Sequence, residues 1–216
     1  MAIPCQKTVL YAFWASSCSW RVRAALVTKR LTFEERHIDI VKEKQQATES
    51  YRTICPSQKV PALVIDGVTL VESMAILQYL EDTRPHPSLE PATPLLKARM
   101  REIVETVVAG IQPLQNVGLR DSFPDESQYT QFVRHWTARG LRTLEQLLSK
   151  SPRDRMYCVG DQLTFADLCL LPQVYNAVGR HKINIKEYPT VAQLYEALLN
   201  EDVFATTHPE KVKGIR

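Results

Sequence analysis

The sequence lacks the charge blocks and long apolar runs that mark several large classes of protein. Its 216 residues carry a net charge of +3, with 11 basic and 9 acidic side chains in residues 1–84 and 16 and 15 in residues 85–216. No basic arm or acidic tail points to a nucleic acid or a membrane surface. The longest stretch without an ionisable side chain other than tyrosine, Thr106 to Leu119, contains amides and a proline. We therefore expect a soluble protein with no segment that spans a bilayer.

Cysteine and histidine are not arranged for a disulfide framework or a metal site. The five cysteines are an odd number without a C-x-x-C pair, and the five histidines show no H-E-x-x-H or other ligand spacing. A reducing compartment is the simpler interpretation. Thr8 to Ala15 is apolar enough for the core of a signal peptide, but Lys7 is its only positive charge and Arg21 and Arg23 follow at once. We interpret this segment as a strand of a cytoplasmic protein.

What is present is an ordinary globular composition, 44% hydrophobic and 24% charged, long enough for one large or two small domains. The composition breaks once, where four of the ten residues 85–94 are proline. Such a segment cannot continue a helix or a strand. We predict a first domain at residues 1–84, a proline-rich linker at 85–94 and a second domain at 95–216.

The first domain alternates between strand and helix patterns. Asp66-Gly67 indicates a type I′ hairpin between two short apolar strands, because both residues tolerate positive φ. The resulting order is typical of an α/β thioredoxin-like layer. The predicted elements are a strand at Thr8–Trp14, a helix at about Cys18–Lys29, a strand at Phe33–Ile40, a polar and partly helical stretch, strands at Ala62–Ile65 and Val68–Val71, and a helix at Met74–Glu81.

The second domain has apolar residues spaced by three or four, which predicts an all-α domain with long helices at Leu95–Val117 and Gln128–Leu148. Its clearest local signal is a capping box. Thr164 can accept hydrogen bonds from the amides of a helix start, and Asp167 follows three residues later.

The string Ser16-Ser17-Cys18-Ser19-Trp20-Arg21-Val22-Arg23 lies where the first strand leads into the first helix. A helix start has unpaired N–H groups and partial positive charge, so hydroxyls or a thiol there can stabilise an anion. The alternative is that the serines only cap the helix and Cys18 only packs.

Two further segments of the first domain allow a functional and a structural interpretation. Val60-Pro61 precedes a strand, and a cis bond there would turn the Val60 backbone outward to pair with an extended peptide. A trans proline that opens an edge strand is the alternative. Glu72-Ser73 is either a second anion-binding helix start or a plain N-cap.

The segment Gly110–Asn116 places Pro113 and three amides inside an apolar-periodic helix. Proline in a helix removes a hydrogen bond and kinks the helix, so the amides would face a cavity. The alternative is that the helix ends here and the amides are solvated.

Together these pieces resemble a cytosolic glutathione transferase. The Ser16–Arg23 string, Gly110–Asn116 and Cys158–Val174 are similar to the zeta class, the maleylacetoacetate isomerases. The resemblance runs from Val9 to Pro209. The chain departs from the family pattern at Cys55-Pro56, where the family has Asn-Pro.

The resemblance implies a glutathione site on the first domain and a second-substrate site between the domains. It implies that Ser16 ionises the glutathione thiol, with Ser17 and Cys18 as supporting catalytic residues. Substrate binding falls to Arg21, Gln112 and Arg180. The implied glutathione-binding residues are Ser16, Ser17, Cys18, Ser19, Trp20, Arg21, Gln46, Val60, Glu72, Ser73, Gln112, Asn116, Val117 and Gly118.

The activity implied by the resemblance is glutathione-dependent isomerisation of maleylacetoacetate to fumarylacetoacetate in phenylalanine and tyrosine catabolism, with transferase activity on small α-halo acids. A homodimer in the cytoplasm, or alternatively in the mitochondrion, is also implied, with glutathione as cofactor and without a metal. Two other functions stay open. One is an omega-type thiol transferase that uses Cys18 as nucleophile, and the other is a non-enzymatic interaction module with the same fold.

Overall fold

The computed structural model describes residues 7–151 and 156–214. They divide into two compact units, residues 7–87 with 202–214 and residues 88–201. The first unit contains a mixed four-stranded sheet with helices and the second is helical, which confirms the predicted fold class. The division lies inside the predicted linker, but residues 202–214 group with the first unit rather than with the helical one.

The sheet of the first unit has the strand order β2-β1-β3-β4. β1 (Val9–Ala12) pairs in parallel with β2 (Glu34–His37), which requires a crossover, and α1 (Ser17–Thr28) supplies it. β3 (Ala62–Ile65) is antiparallel to β1 and to β4 (Val68–Val71). Because β1 and β3 are central, their side chains form much of the core.

The β3–β4 hairpin is the most local of the sheet's pairings, and both strands match their predicted bounds. Asp66 and Gly67 have φ of 51° and 82°, so both turn residues adopt the predicted positive φ.

The remaining helices of this part of the chain are short. The polar stretch after β2 forms a 3-10 turn at Gln45–Ala47 and α2 (Glu49–Arg52), as partly expected. α3 (Ser73–Thr83) follows β4 directly and packs on α1, and its Ile76, Leu77 and Leu80 are fully buried.

The second unit is built from α4 (Pro94–Val108), α5 (Glu126–Lys150), α6 (Phe165–Gly179) and α7 (Pro189–Leu199). Each buries one apolar stripe except α6, which is buried almost throughout. The predicted capping box opens α6, where Thr164 and Asp167 bond each other's backbone. Asp167 is fully buried, and this burial raises the pKa of its carboxyl despite the hydrogen bonds it accepts.

The prediction of one helix from Leu95 to Val117 is wrong. α4 ends at Val108, and Pro113 lies in a separate 3-10 turn at Gln112–Gln115. A proline inside the helix would lack an N–H and clash with the preceding turn, so the chain leaves the helix before reaching it. Of the two alternatives, the structure therefore has the helix end, not the kink.

The chain returns to the first unit in α8 (Asp202–Thr207) and α9 (Pro209–Val212). Trp20 of α1 anchors this segment: its Nε1 donates to Thr207 Oγ1 at 2.8 Å, and its ring meets those of Phe204 and His208 edge-on. These long-range contacts explain why residues 202–214 group with the sheet. Within residues 7–151 and 156–214, no helix is long and apolar enough to cross a membrane.

Candidate active site

Three loops of the first unit reach the same edge of the sheet. Tyr11 of β1 is paired with Ala62 of β3, and Ala62 is paired with Val71 of β4. The turn into α1, the residues before β3 and the residues after β4 therefore lie next to each other. These are the predicted site segments Ser16–Cys18, Val60-Pro61 and Glu72-Ser73.

Ser16 is the N-cap of α1 and is half-buried. Its Oγ accepts the Ser19 backbone N–H at 3.2 Å. A serine hydroxyl that accepts one hydrogen bond still has its own proton to donate. Capping and anion binding are therefore compatible at Ser16, because the cap uses a lone pair and an anion would use the O–H. Ser17 is buried, whereas Cys18 is half-buried with a free thiol.

Ser19 and Trp20 point into the unit and support this turn from inside. Ser19 is fully buried, and its Oγ accepts the Phe13 N–H at 3.3 Å. Trp20 is held by Thr207, as described above. The side chains of these two expected glutathione-binding residues are thus engaged by the chain's own atoms.

Arg21 joins two of the site segments. It is only 1% exposed, and its Nη1 donates to Ser73 Oγ at 3.3 Å and to Cys18 Sγ at 3.7 Å. Its Nε and Nη2 are buried without a hydrogen-bond partner among the residues that the structure describes. Arg21 therefore lies beneath the edge, between the starts of α1 and α3, and presents little surface to a substrate carboxylate.

The Val60-Pro61 bond is cis. This is the conformation expected if the Val60 backbone is to pair with an extended peptide, rather than the trans proline of an edge strand. The Tyr51 hydroxyl donates to the Lys59 carbonyl at 2.8 Å and so holds the loop before β3. Burial raises the pKa of Tyr51, which keeps this hydroxyl a donor. Val60 itself packs in a cluster with Phe13 and Ala62 at the base of the site.

Glu72 has φ 68° and ψ 115°, a backbone conformation that non-glycine residues rarely adopt. Such residues are concentrated at ligand-binding positions, where the surrounding structure maintains the strain. The exposed Glu72 side chain makes no capping hydrogen bond to α3, so the plain N-cap interpretation does not describe it. Its carboxylate is left available beside the positively polarised start of α3.

Gln46 is a fourth predicted site residue or segment at the same edge of the sheet. The carboxyl end of β2 lies beside that of β1, with His37 opposite Ala12, and Ile40 follows shortly after. Gln46 Nε2 reaches the Ile40 carbonyl at 3.5 Å, and its Oε1 is buried without a partner among the described residues. This oxygen can accept a hydrogen bond from a ligand N–H.

The other predicted site residues belong to the second unit. Gln112 is half-buried at the start of its 3-10 turn. Asn116 caps the next turn, its Oδ1 accepting the Gly118 N–H at 3.0 Å, and Val117 lies between them. The amide of Gln115 is buried rather than solvated and pairs reciprocally with Gln173 at 3.0 and 3.2 Å.

Arg180 is exposed at the C-terminal end of α6. Burial raises the pKa of Tyr129, and the positive charge of Arg180 opposes this rise. The Tyr129 hydroxyl donates to the carbonyls of Gln115 and Asn116 at 3.2 and 3.3 Å. Gln173, two turns before Arg180 in α6, pairs with Gln115, so the C-terminal half of α6 lies next to the Gln112–Gln115 turn.

Sequence reasoning missed the two residues that hold this turn, Tyr129 and Gln173. Gln173 did carry a signal, because it is an amide that directly follows the apolar run 168–172 of α6. A buried amide needs a partner, and only the tertiary structure shows that the partner is Gln115.

Family models match both units. The glutathione S-transferase N-terminal domain model matches residues 6–82, and the glutathione S-transferase C-terminal domain model matches residues 119–205.

Curated relatives match along nearly the whole chain. A probable maleylacetoacetate isomerase 1 of Drosophila melanogaster is 47% identical over 205 residues, 94% of this chain and 82% of the relative. The maleylacetoacetate isomerase of Mus musculus is 42% identical over 206 residues, 95% of this chain and 94% of the relative.

Solved structures with the same fold include two informative neighbours. The holo structure of a bacterial zeta-class maleyl pyruvate isomerase has a TM-score of 0.89 and 32% identity, with 94% of this chain and 97% of that chain covered. The maleylacetoacetate isomerase of Anaeromyxobacter dehalogenans, with glutathione bound in its active site, has a TM-score of 0.84 and 36% identity, with 97% and 98% covered.

Proposed function

Because the chain belongs to the glutathione S-transferase family, we propose that it is an enzyme that uses glutathione to isomerise maleylacetoacetate to fumarylacetoacetate. It would also transfer glutathione to small α-halo acids. The observation that carries the proposal is the meeting of Ser16–Cys18, Val60 and Glu72-Ser73 at one edge of the sheet. The names of the relatives supply the substrate.

The residues at this edge fit glutathione. A tripeptide offers N–H groups, carbonyls and carboxylates, and the edge offers complementary partners for each. The Gln46 Oε1 and the Arg21 guanidinium are buried polar groups whose hydrogen-bonding capacity is not fully used by the part of the chain that the structure describes. We assign the peptide backbone of glutathione to Gln46 and Val60, and the γ-glutamyl end to Glu72 and Ser73.

Glutathione held at this edge would supply a thiolate nucleophile, whose reversible addition to the cis double bond would permit rotation about the resulting single bond. A free thiol with a pKa of about 8.5 is only a few per cent ionised at neutral pH. The Ser16 hydroxyl, at the start of α1, donates a hydrogen bond to the anion and so favours it over the neutral thiol. Ser17 and Cys18 line the same turn and support this arrangement.

We assign the substrate to residues of the second unit, Gln112 and Arg180, with Asn116, Val117 and Gly118 contributing to glutathione binding. An exposed guanidinium can hold a carboxylate through two parallel hydrogen bonds. Arg180 is such a group, and it caps the end of α6, the helix whose Gln173 pairs with Gln115 of the Gln112–Gln115 turn. We further propose that the protein is a cytoplasmic homodimer.

The test follows the ultraviolet spectrum of maleylacetone with enzyme, with and without glutathione. We expect isomerisation only when glutathione is present, and an undiminished glutathione concentration after many turnovers. An α-halo acid should instead consume glutathione or yield its adduct. Stoichiometric loss of glutathione with maleylacetone would contradict the isomerase assignment.

A second candidate function is thiol transfer by Cys18. It is favoured by the half-buried free thiol at the start of α1, whose Sγ lies 3.7 Å from the Arg21 Nη1. Mass spectrometry of the enzyme quenched during turnover would find glutathione disulfide-linked to Cys18 if this candidate is right. If Cys18→Ser keeps full isomerase activity, isomerisation does not need the Cys18 thiol, and the two functions are separated.

A further inference from the structure

The first unit buries three cationic side chains, and they are not equally compensated. Arg23 is held by both oxygens of Glu35, at 2.7 and 2.5 Å. Lys29 donates to Glu81 at 2.6 Å and to the Pro87 carbonyl at 2.7 Å. Arg21 has the lowest exposed fraction of the three residues. It makes no ion pair with any carboxylate in the described part of the chain.

An uncompensated guanidinium is unfavourable in a protein interior. It cannot be neutralised by losing its proton, and removal from water without a counter-charge is costly. Among the described residues, its only hydrogen-bond partners are the Ser73 hydroxyl and the Cys18 thiol, and two of its nitrogens have none. Folding alone does not explain why a cation is kept there, whereas a bound anion would.

The partners of Arg21 show where that anion lies. Cys18 is in the first turn of α1, and Ser73 is the first residue of α3. Both helix starts already favour negative charge. The guanidinium is thus in contact with the thiol end and the γ-glutamyl end of the proposed glutathione site at the same time.

We propose that Arg21 is a positioning residue that supplies the shared counter-charge of the glutathione site, acting through Cys18 and Ser73 on the thiolate and on the γ-glutamyl carboxylate. This inference rests on the proposed function only in taking glutathione as the ligand. The charge favours release of the thiol proton to solvent, and the bound anions in turn compensate the buried cation.

The proposal predicts different changes in stability when each of two neighbouring arginines of α1 is replaced. Arg21→Met removes an uncompensated charge, so the ligand-free protein should be as stable as the wild type or more stable. Arg23→Met leaves Glu35 without its partner and should lower the melting temperature. Arg23→Met is therefore the matched control for loss of a buried arginine.

The thiol itself provides the second readout. The ultraviolet absorbance of the thiolate is titrated against pH for glutathione bound to the wild type, Arg21→Met, Arg21→Lys and Arg23→Met. Loss of a neighbouring positive charge should raise the pKa of the bound thiol by about 1 or more in Arg21→Met. At a fixed pH below that pKa, a rise of about 1 leaves about tenfold less thiolate. Arg21→Lys should keep most of the effect, and Arg23→Met should leave the pKa unchanged.

The proposal would be overturned if Arg21→Met melted below the wild type as Arg23→Met does, or if it left the thiol pKa unchanged. It would also be overturned if both Arg21→Met and Arg21→Gln failed to fold, because it holds that folding does not need the charge. None of these measurements uses the isomerase substrate. A wild-type protein that did not bind glutathione would reject the proposed function itself, whereas equal pKa values in wild type and Arg21→Met would reject only the role of Arg21.

Discussion

Ser16 combines a structural and a chemical task in one hydroxyl group. Its oxygen caps α1 by accepting the Ser19 N–H, and its hydrogen remains to be donated. Because the two tasks use different parts of the same group, substitutions can separate them.

We expect Ser16→Ala to lower kcat/KM by about 10²-fold or more, the effect of losing one preorganised donor to a developing anion. Loss of the cap should also cost about 1 kcal/mol of stability. Steady-state kinetics with maleylacetone and thermal melting measure the two effects. Ser16→Thr keeps hydroxyl and cap and serves as the control. Activity of Ser16→Ala within threefold of wild type, together with a severely impaired Ser17→Ala, would identify Ser17 as the donor instead.

Arg180 distinguishes a pocket for carboxylate substrates from a general transferase pocket. Hydrogen bonds to charged groups contribute about 1.5–3 kcal/mol, so Arg180→Ala should raise KM for carboxylate substrates by about tenfold or more. An uncharged aryl halide should be almost unaffected. Lys182→Ala, which removes another exposed cation just beyond α6, is the matched control and should change the KM of neither substrate type. Equal losses with both substrates would remove Arg180 from the site.

His181, next to Arg180, makes the stability of the protein sensitive to acid. Burial, with the charges of Arg180 and Arg134 nearby, lowers its pKa from 6.5 to about 4. A depressed pKa contributes stability above about pH 6.5, and this stability is lost as pH falls through the folded-state value. By pH 5 the loss should be about 2 kcal/mol.

The free energy of unfolding at about pH 7 and pH 5 measures this loss in the wild type and in His181→Gln, which cannot titrate. The pH dependence should be weaker in His181→Gln by that amount. His135→Gln, which replaces an exposed histidine of α5, should retain the wild-type dependence. Identical profiles in wild type and His181→Gln would show that the unfolding is insensitive to this residue.

At one glycine, α5 closely approaches the segment that follows α4. A Cβ built at Gly140 of α5 would overlap the buried side chain of Ile111, the residue before the Gln112–Gln115 turn. Glycine at this position therefore sets the distance between α5 and the turn that carries predicted site residues.

Glycine to alanine in a helix normally gains about 1 kcal/mol, but overpacking a core costs about 1–3 kcal/mol. We expect Gly140→Ala to destabilise the protein and Gly179→Ala, whose Cβ would meet nothing within 4 Å, to leave stability unchanged or higher. Chemical denaturation of both variants tests this. Ile111→Ala alone should destabilise the protein by about 2–5 kcal/mol because it leaves a cavity. If the overlap is the cause, adding Gly140→Ala to Ile111→Ala should bring no further loss of stability.

For the molecule as a whole, the proposed homodimer would cover apolar side chains that are exposed in a single chain. Leu95 at the start of α4 is 63% exposed, and Val68 of β4 is 47% exposed. Two-fold dimers are the commonest closed assembly of soluble proteins.

Light scattering at micromolar concentration should give a mass near twice the 24.7 kDa of one chain. Leu95→Glu should shift the equilibrium toward monomer, because it places a charge where apolar contact is expected. Val41→Glu, in the loop after β2, also replaces an exposed valine and should leave the mass unchanged. A wild-type mass near 24.7 kDa would contradict the dimer.

The sequence by itself determined the features whose physics is local. The β3–β4 hairpin depends on two residues that accept positive φ, the start of α6 depends on Thr164 and Asp167 three residues apart, and the start of α1 depends on Ser16. Each of these signals acts over a few residues, so short sequence patterns are sufficient to predict them.

Only the tertiary structure decided the features that depend on partners distant in the chain. The sequence shows Arg21 and Arg23 as equivalent cations of one helix, yet Glu35 compensates Arg23 and no carboxylate in the described residues compensates Arg21. Likewise, Trp20 draws residues 202–214 to the sheet unit through Thr207. Burial and pairing of polar groups depend on which distant side chains fold against them, and a sequence pattern does not contain that information.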